Sequence, residues 1–566
     1  MNRETRVTGV VERSPAITAV VVTLSSLALL SWVGGCQKEL FSRDMSVPPT
    51  AMDVEGINGF EGAGGVESGK SLADAVDQAR VDALPKPEAA ESVELSLPAA
   101  RAAALENNFA LKADLFKPRI GVTAVTGAEA AFEAVIFGSY TTTNESLLTQ
   151  LEEGIPTDSD SFTGGVRLPL VTGGSVEVST LGNRFDGGSL LAEPWEAGFE
   201  VDITQPLLRD AGIEVNTAAI RIARYDAQAI DAQTKLSVIR LLSDVERAYW
   251  NLYRVTRVLD VRLRQYEVAK QQVERARRLV AADQGSELDV LRAESGLGST
   301  LENVILADNA VRVAQRDLKV LMNRPDLPQG GKTRIVITDP PSPTEPKIDS
   351  SLLVDRAMSG RMELLELELS LAADAERIMV ARNGMLPSFV LDYNYQVLGD
   401  GTSAGNAYSS IPDADSYSLS FGVEIPVGNE DARSTLARTL LTRLQRLQTK
   451  NARKDSITNE VLDAADGLAN AWQRIIAARL ESELAARTLA GEQRQFDVGL
   501  RTSTDVLDAA ARLADAQAAE VNAMSAYQIA FVDLAFATGT TLGAQRVDIP
   551  DIGADALAEF ERELGR

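Results

Sequence analysis

Histidine is missing from all 566 residues and cysteine occurs once, at Cys36. The first absence removes the side chain that most often serves as general base or binds a transition metal; the second rules out any disulfide within the chain. Aromatic residues make up only 5% of the sequence. Basic residues are also short: 56 Lys and Arg stand against 81 Asp and Glu, for a formal charge of -25. Such a chain repels a phosphate backbone, so nucleic acid is not an expected partner. No phosphate-binding G-x-x-x-x-G-K-[ST] loop is present, and the acidic residues are spread along helical stretches instead of converging on a constellation. The reading is therefore of a protein that is not an enzyme, with no cofactor and no metal.

What is present begins with an export signal over residues 1–35. Arg3, Arg6 and Arg13 precede an apolar run from Ala16 to Val33. Val33-Gly34-Gly35-Cys36 resembles a bacterial lipobox, which implies lipidation at Cys36. Residues 36–94, rich in Gly, Ala, Pro and acids, read as a lipid-anchored flexible tether.

Beyond the tether the chain is duplicated. Leu105 to Leu111 corresponds to Met358 to Leu364, Ile203-Thr204-Gln205-Pro206-Leu207 to Val423-Glu424-Ile425-Pro426-Val427, and Asp289-Val290-Leu291 to Asp505-Val506-Leu507. The halves are 95–322, with a hairpin region at about 131–206 and long helices over 212–322, and 348–543, with strands at about 386–427 and long helices over 431–538. A Pro-rich crossover at 323–347 separates them, and 544–566 is a C-terminal tail. The interval from Asn108 to Pro206 exceeds that from Arg361 to Pro426 by about 33 residues. The excess falls around Ser161 to Pro194, where Gly173-Gly174 between two strand-like runs suggests an added hairpin.

Strict period-two alternation marks Trp195 to Ile203, Phe389 to Val397 and Tyr417 to Ile425, and more weakly Phe132 to Tyr140. Nine-residue segments, apolar on one face and polar on the other, suit strands that cross an outer membrane; a half-buried soluble sheet shows the same alternation. The helical stretches decide between the two. Glu214 to Ala282 and Asp431 to Asp497 run without proline. A helix of that length reaches on the order of 100 Å, so it must pack lengthwise on other helices. Each ends at a glycine-containing turn, Asp283-Gln284-Gly285-Ser286 or Val498-Gly499-Leu500-Arg501, followed by a return helix.

The duplicated helix-strand-strand-helix plan, together with FDVGLRTSTDVLDA at Phe496 to Ala509 and QPLLRDAG at Gln205 to Gly212, resembles the TolC-like outer membrane efflux proteins over nearly all of Leu95 to Gly543. The resemblance implies a mixed α+β membrane protein: a trimeric outer-membrane β-barrel continued by a long periplasmic α-helical barrel. It implies a passive conduit of a tripartite efflux or type I secretion system. The partners are two further copies of the chain, a periplasmic adaptor protein, an inner-membrane pump or ABC transporter, and outer-membrane lipid. By the same resemblance Asp505, Asp508 and Asp289 form the pore constriction, Arg501 and Phe496 the gate, and Val498, Gly499, Leu500, Gln284, Gly285 and Ser286 the tips that meet the adaptor. Phenylalanine at 496 replaces the family's tyrosine, so the gate lacks one hydroxyl. The rival reading is a periplasmic coiled-coil scaffold lipoprotein that forms no channel.

Overall fold

A computed structural model describes residues 91–147, 155–186, 195–412 and 414–545. The export signal, Cys36, nearly all of the tether and most of the C-terminal tail lie outside the described residues.

The proline-free stretches fold as single helices, Ala218–Ala281 of 64 residues and Glu430–Asp497 of 68. Each is about 100 Å long at 1.5 Å per residue. Each turns back at its tip into a shorter return helix, Glu287–Met322 or Ser503–Ala537. Small residues let these helices pack closely. Ala269, Ala276 and Ala293 are buried in the first pair, and Ala509, Ala510 and Ala514 in the second. The first long helix packs on both return helices, and the second long helix packs on the second return helix. Toward the sheet, helices Lys117–Glu129 and Met362–Asn383 lie against the first long helix, and Met362–Asn383 also packs on the second. The four long elements thus form one layer, with the first return helix on one flank and the second long helix on the other.

Two positions aligned by the sequence reading break their helices alike. Asn108 and Arg361 both leave helical geometry, at ψ 118° and 123°, where a short helix stops and the next begins. The Asn108 side chain accepts from the Leu111 amide at 3.0 Å. Arg361 instead turns inward, almost fully buried. It pairs with Glu363 and Glu460, both at 2.8 Å, and donates to the Ala537 carbonyl at 3.1 Å. The Asn108 side chain also donates to the Leu321 carbonyl at 2.9 Å, so the same kink is closed by a neutral amide in one half and by ion pairs in the other.

A six-stranded antiparallel sheet crowns the helices in the order β2 (Val135–Leu147), β3 (Ile155–Pro169), β4 (Ser175–Asp186), β5 (Trp195–Pro206), β7 (Ser388–Gly401) and β8 (Ala414–Glu424). On the duplication read from the sequence, β2/β5 corresponds to β7/β8, and β3–β4 occupies the segment of the expected extra hairpin. Two strands lie elsewhere, in segments the sequence reading assigned to tether and crossover. β1 (Ser92–Leu95) and β6 (Arg334–Ile337) pair in parallel. At four residues each they are too short to show a period. The Tyr249 hydroxyl fixes them, at 3.2 Å from the Leu95 carbonyl and 3.1 Å from the Asp339 carboxylate. Lys319, also buried, donates to the Gly331 and Thr333 carbonyls and ties the crossover to the first return helix; burial lowers its pKa.

Candidate functional site

Two regions concentrate the residues singled out in the sequence: the helix tips and the sheet. At the second tip the long helix ends with Gly499 at φ 78°, a left-handed position that costs glycine nothing. The Gly499 and Leu500 amides return to the carbonyls of Phe496 and Gln495 at 3.0 and 2.9 Å, satisfying the last turn of the helix. At the first tip the left-handed residue is Asp283, at φ 55°, and the glycine of that turn, Gly285, sits against Leu279.

Both return helices open with a capping box. Thr502 accepts from the Asp505 amide, while the Asp505 carboxylate accepts from the Thr502 amide and hydroxyl at 2.8 Å. Hydrogen bonding from the Thr502 backbone, then from its side chain, holds the Asp505 carboxyl below its ordinary range. Ser286 and Asp289 repeat the arrangement. Two of the three aspartates the sequence reading placed at a constriction, Asp505 and Asp289, thus also close the capping boxes of their helices. Asp508, one turn further, is exposed.

Arg501 lies 3.1 Å from both the Glu492 carboxylate and the Gln495 side-chain oxygen, on the long helix just above the turn. Phe496 packs against the cluster of Leu489, Val506, Ala509 and Ala510, as does Val268, and the guanidinium of Arg275 rests 4.6 Å from its ring centroid. The tips approach each other where Leu507 meets Gly296. Val498 and Leu500 are 70% and 75% exposed, and Leu288 and Leu291 are also exposed, so apolar side chains stand in solvent at the ends of both hairpins. An open groove of about 460 Å³ at the first tip is lined by Val280, Val290, Leu291, Glu287, Glu294 and Arg277. The structure therefore groups Phe496, Val498, Gly499, Leu500, Arg501, Asp505 and Asp508 at one tip, and Gln284, Gly285, Ser286 and Asp289 at the other. Sequence reasoning missed Arg275, Glu492 and Gln495, which lack any motif. It also missed Thr502, although T-x-x-D and S-x-x-D were there to be read as capping boxes.

In the sheet, register sorts the faces. One rung joins Ile136, Val166, Val178, Val201, Tyr395 and Tyr417, and the rung next to it on the same face joins Leu168, Val176, Ile203, Tyr393 and Leu419. The opposite face carries Arg167, Glu177, Asp202, Asn394 and Ser418 on one rung. Arg167 pairs with Glu177 at 2.7 Å, and the Asn394 amide donates to Asp202 at 2.7 Å. At the far end of the sheet Gly399 and Gly401 give the short helix Ala404–Ser409 a flat seat, since a Cβ on either would lie within 2.5 Å of its backbone. The Tyr408 hydroxyl, on that helix, donates to the Leu181 carbonyl at 3.2 Å.

The described residues thus form a long helical shaft that carries a two-faced antiparallel sheet. Residues 353–540 match the family described as Outer membrane efflux protein. The chain is 23% identical over 382 residues to Outer membrane protein TolC of Vibrio cholerae, spanning 66% of this chain and 82% of that protein. Among solved structures it resembles the Campylobacter jejuni CmeC outer membrane channel, at TM-score 0.61 and 14% identity over 82% of this chain and 88% of that one. It likewise resembles the open state of the Neisseria gonorrhoeae MtrE outer membrane channel, at TM-score 0.57 and 18% identity over 79% and 89%. Residues 353–540 thus match the Outer membrane efflux protein family, and the chain shares its fold with outer membrane channels.

Proposed function

We propose that the chain is one subunit of a trimeric outer-membrane channel, a passive duct lipid-anchored through Cys36 that hands material from a periplasmic adaptor and an inner-membrane pump or ABC transporter to the exterior. The observation that carries this reading is the pair of open, unlike flanks. On one, β2 has an edge unpaired among the described residues, helix Lys117–Glu129 exposes Ile120 and Val122, and the first return helix exposes Ile305, Leu306 and Val313. On the other, every residue of β8 is exposed, and the second long helix exposes Leu440, Leu441, Leu444 and Leu447. Unlike flanks that meet head to tail generate a ring where the rotation between copies closes. A strand edge in lipid is not tolerated, so a membrane sheet must close on itself.

In the ring, Asp505, Asp508 and Asp289 form acidic circles at the helix tips and favour cations, as carboxylate rings do in other cation pores. Arg501, held by Glu492, keeps the second tip folded in. An adaptor that binds the open arrangement more tightly shifts the balance toward it. The exposed Val498 and Leu500, and the turn Gln284-Gly285-Ser286, are its contact points. The duct serves a tripartite efflux or type I secretion system.

The test is assembly. Cysteines introduced on β2 and β8 should cross-link between copies into a covalent trimer in detergent, and the particle mass should be three chains. A monodisperse monomer without cross-links would sink the proposal.

A further inference from the structure

The hairpin β3–β4 has no counterpart in the second half of the chain, and two independent sets of contacts say where it belongs. The first is register. β3 and β4 are not draped over the sheet; they are inserted between β2 and β5 with ladder pairing on both sides. Along the apolar rungs Val166 and Val178 stand between Ile136 and Val201, and Leu168 and Val176 lie beside Ile203. Along the polar rung Arg167 and Glu177 continue the line of Asp202 and Asn394. The hairpin therefore carries the same two faces, in phase, as the strands that flank it, and Val166, Leu168 and Val178 are exposed on the apolar one.

The second set is at its turn. Leu170 to Gly174 sits at the helix end of the sheet, seated in Gln205 to Gly212. The Gly212 amide donates to the Thr172 carbonyl at 3.0 Å, and the Thr172 hydroxyl donates to the Gln205 side chain at 2.8 Å. Gly173 is at φ 93°, and a Cβ there would lie 2.1 Å from the Asp210 carbonyl oxygen. Asn216, at the end of the short helix Ile213–Asn216 that precedes the first long helix, fixes that carbonyl and the one of Gly212. The QPLLRDAG stretch is thus the socket for this turn, and the hairpin runs the full height of the sheet.

We infer that β3–β4 is part of the membrane wall, so that three copies of a six-stranded sheet close an eighteen-stranded barrel. This rests on the trimeric reading above. Barrel width grows roughly in proportion to strand number, so the wall is about half again as wide as one built from four strands per copy. An even number of strands in each chain leaves β2 and β8 antiparallel, and closure between copies keeps the all-antiparallel ladder. The exit mouth is then wide, and the helix tips alone set the size of what passes.

Lipid-side quenching tests this. An environment-sensitive label is placed on Val166→Cys, Val178→Cys, Val201→Cys and Ser179→Cys in the full-length protein, reconstituted into vesicles containing brominated phosphatidylcholine, with the unsubstituted protein as the Cys36 background. Labels at 166 and 178 should be quenched as strongly as the label at 201 on β5, and the label at 179 should be spared. Quenching at 201 alone would overturn the inference while leaving the channel reading intact; no quenching at any of the three would overturn both. Where a variant fails to assemble, the strand count in an electron-microscopic reconstruction of the unsubstituted protein decides: eighteen supports the inference and twelve overturns it.

Discussion

Arg275 holds Phe496 from across the helix layer: its guanidinium lies over the ring and pairs with the neighbouring Asp497 carboxylate at 2.7 Å. One side chain of the first long helix therefore pins the last turn of the second, where the sequence has a phenylalanine in place of a hydroxyl-bearing ring. A partly exposed cation–π contact and a surface ion pair together amount to about 1 kcal/mol. Arg275→Ala should speed amide exchange at Gly499 and Leu500 by roughly fivefold, the rate equivalent of that energy. Exchange no faster than in the parent would show that the tip is held by its own turn.

The proposed gate assigns the Arg501–Glu492 contact the task of keeping the second tip folded in, so loss of either partner should have the same effect. Single-channel recordings of Arg501→Ala and of Glu492→Gln should both show larger or longer openings than the parent. Two variants as closed as the parent would remove this pair from the gate.

Arg361 and Glu363 set an acid limit. Burial pushes the Glu363 carboxyl up, but the hydrogen bonds and charge of Arg361, helped by Arg453, outweigh it and hold the pKa below the ordinary value. A carboxylate with a depressed folded pKa contributes stability that is fully present above its unfolded value of about 4.3 and is lost as pH falls through the folded one. Thermal unfolding followed from pH 6 down to pH 3 should show that loss in the parent. Arg361→Leu leaves a buried carboxylate without its main partner and should cost about 3–5 kcal/mol at neutral pH. A melting temperature unchanged by the substitution would contradict the assignment.

Tyr249 joins the parallel pair β1–β6 to the first long helix. Burial, with the nearby Asp339 charge second, raises the pKa of its phenol. Tyr249→Phe removes the shared hydrogen bonds to Leu95 and Asp339 and should cost about 1–2 kcal/mol. The check is protease sensitivity near Arg334, which should rise; an unaltered digestion pattern would mean the short sheet holds without it.

The sequence was most legible where one physical pattern repeats over many residues. Alternation at Tyr417 to Ile425 and the unbroken run from Glu214 to Ala282 each state a period directly, and the prolines near residue 340 mark the crossover. It was least legible where the structure depends on single contacts between distant residues. Nothing around Arg361 signals a buried ion pair with Glu460, and nothing at Arg275 points to Phe496. The hairpin at Gly173-Gly174 was recognisable, but its place in the sheet was not, because strand order is set by pairing with β2 and β5 rather than by any local pattern. At the tips, Asp505 and Asp289 read as constriction residues through resemblance, while their capping role was written in the adjacent Thr502 and Ser286.

The most direct test of the central claim is planar-bilayer conductance of the detergent-purified protein. The account predicts small, cation-selective currents that increase when Asp505 and Asp508 are both replaced by Ala. A protein that inserts yet passes no current, in either the parent or the double variant, would contradict it.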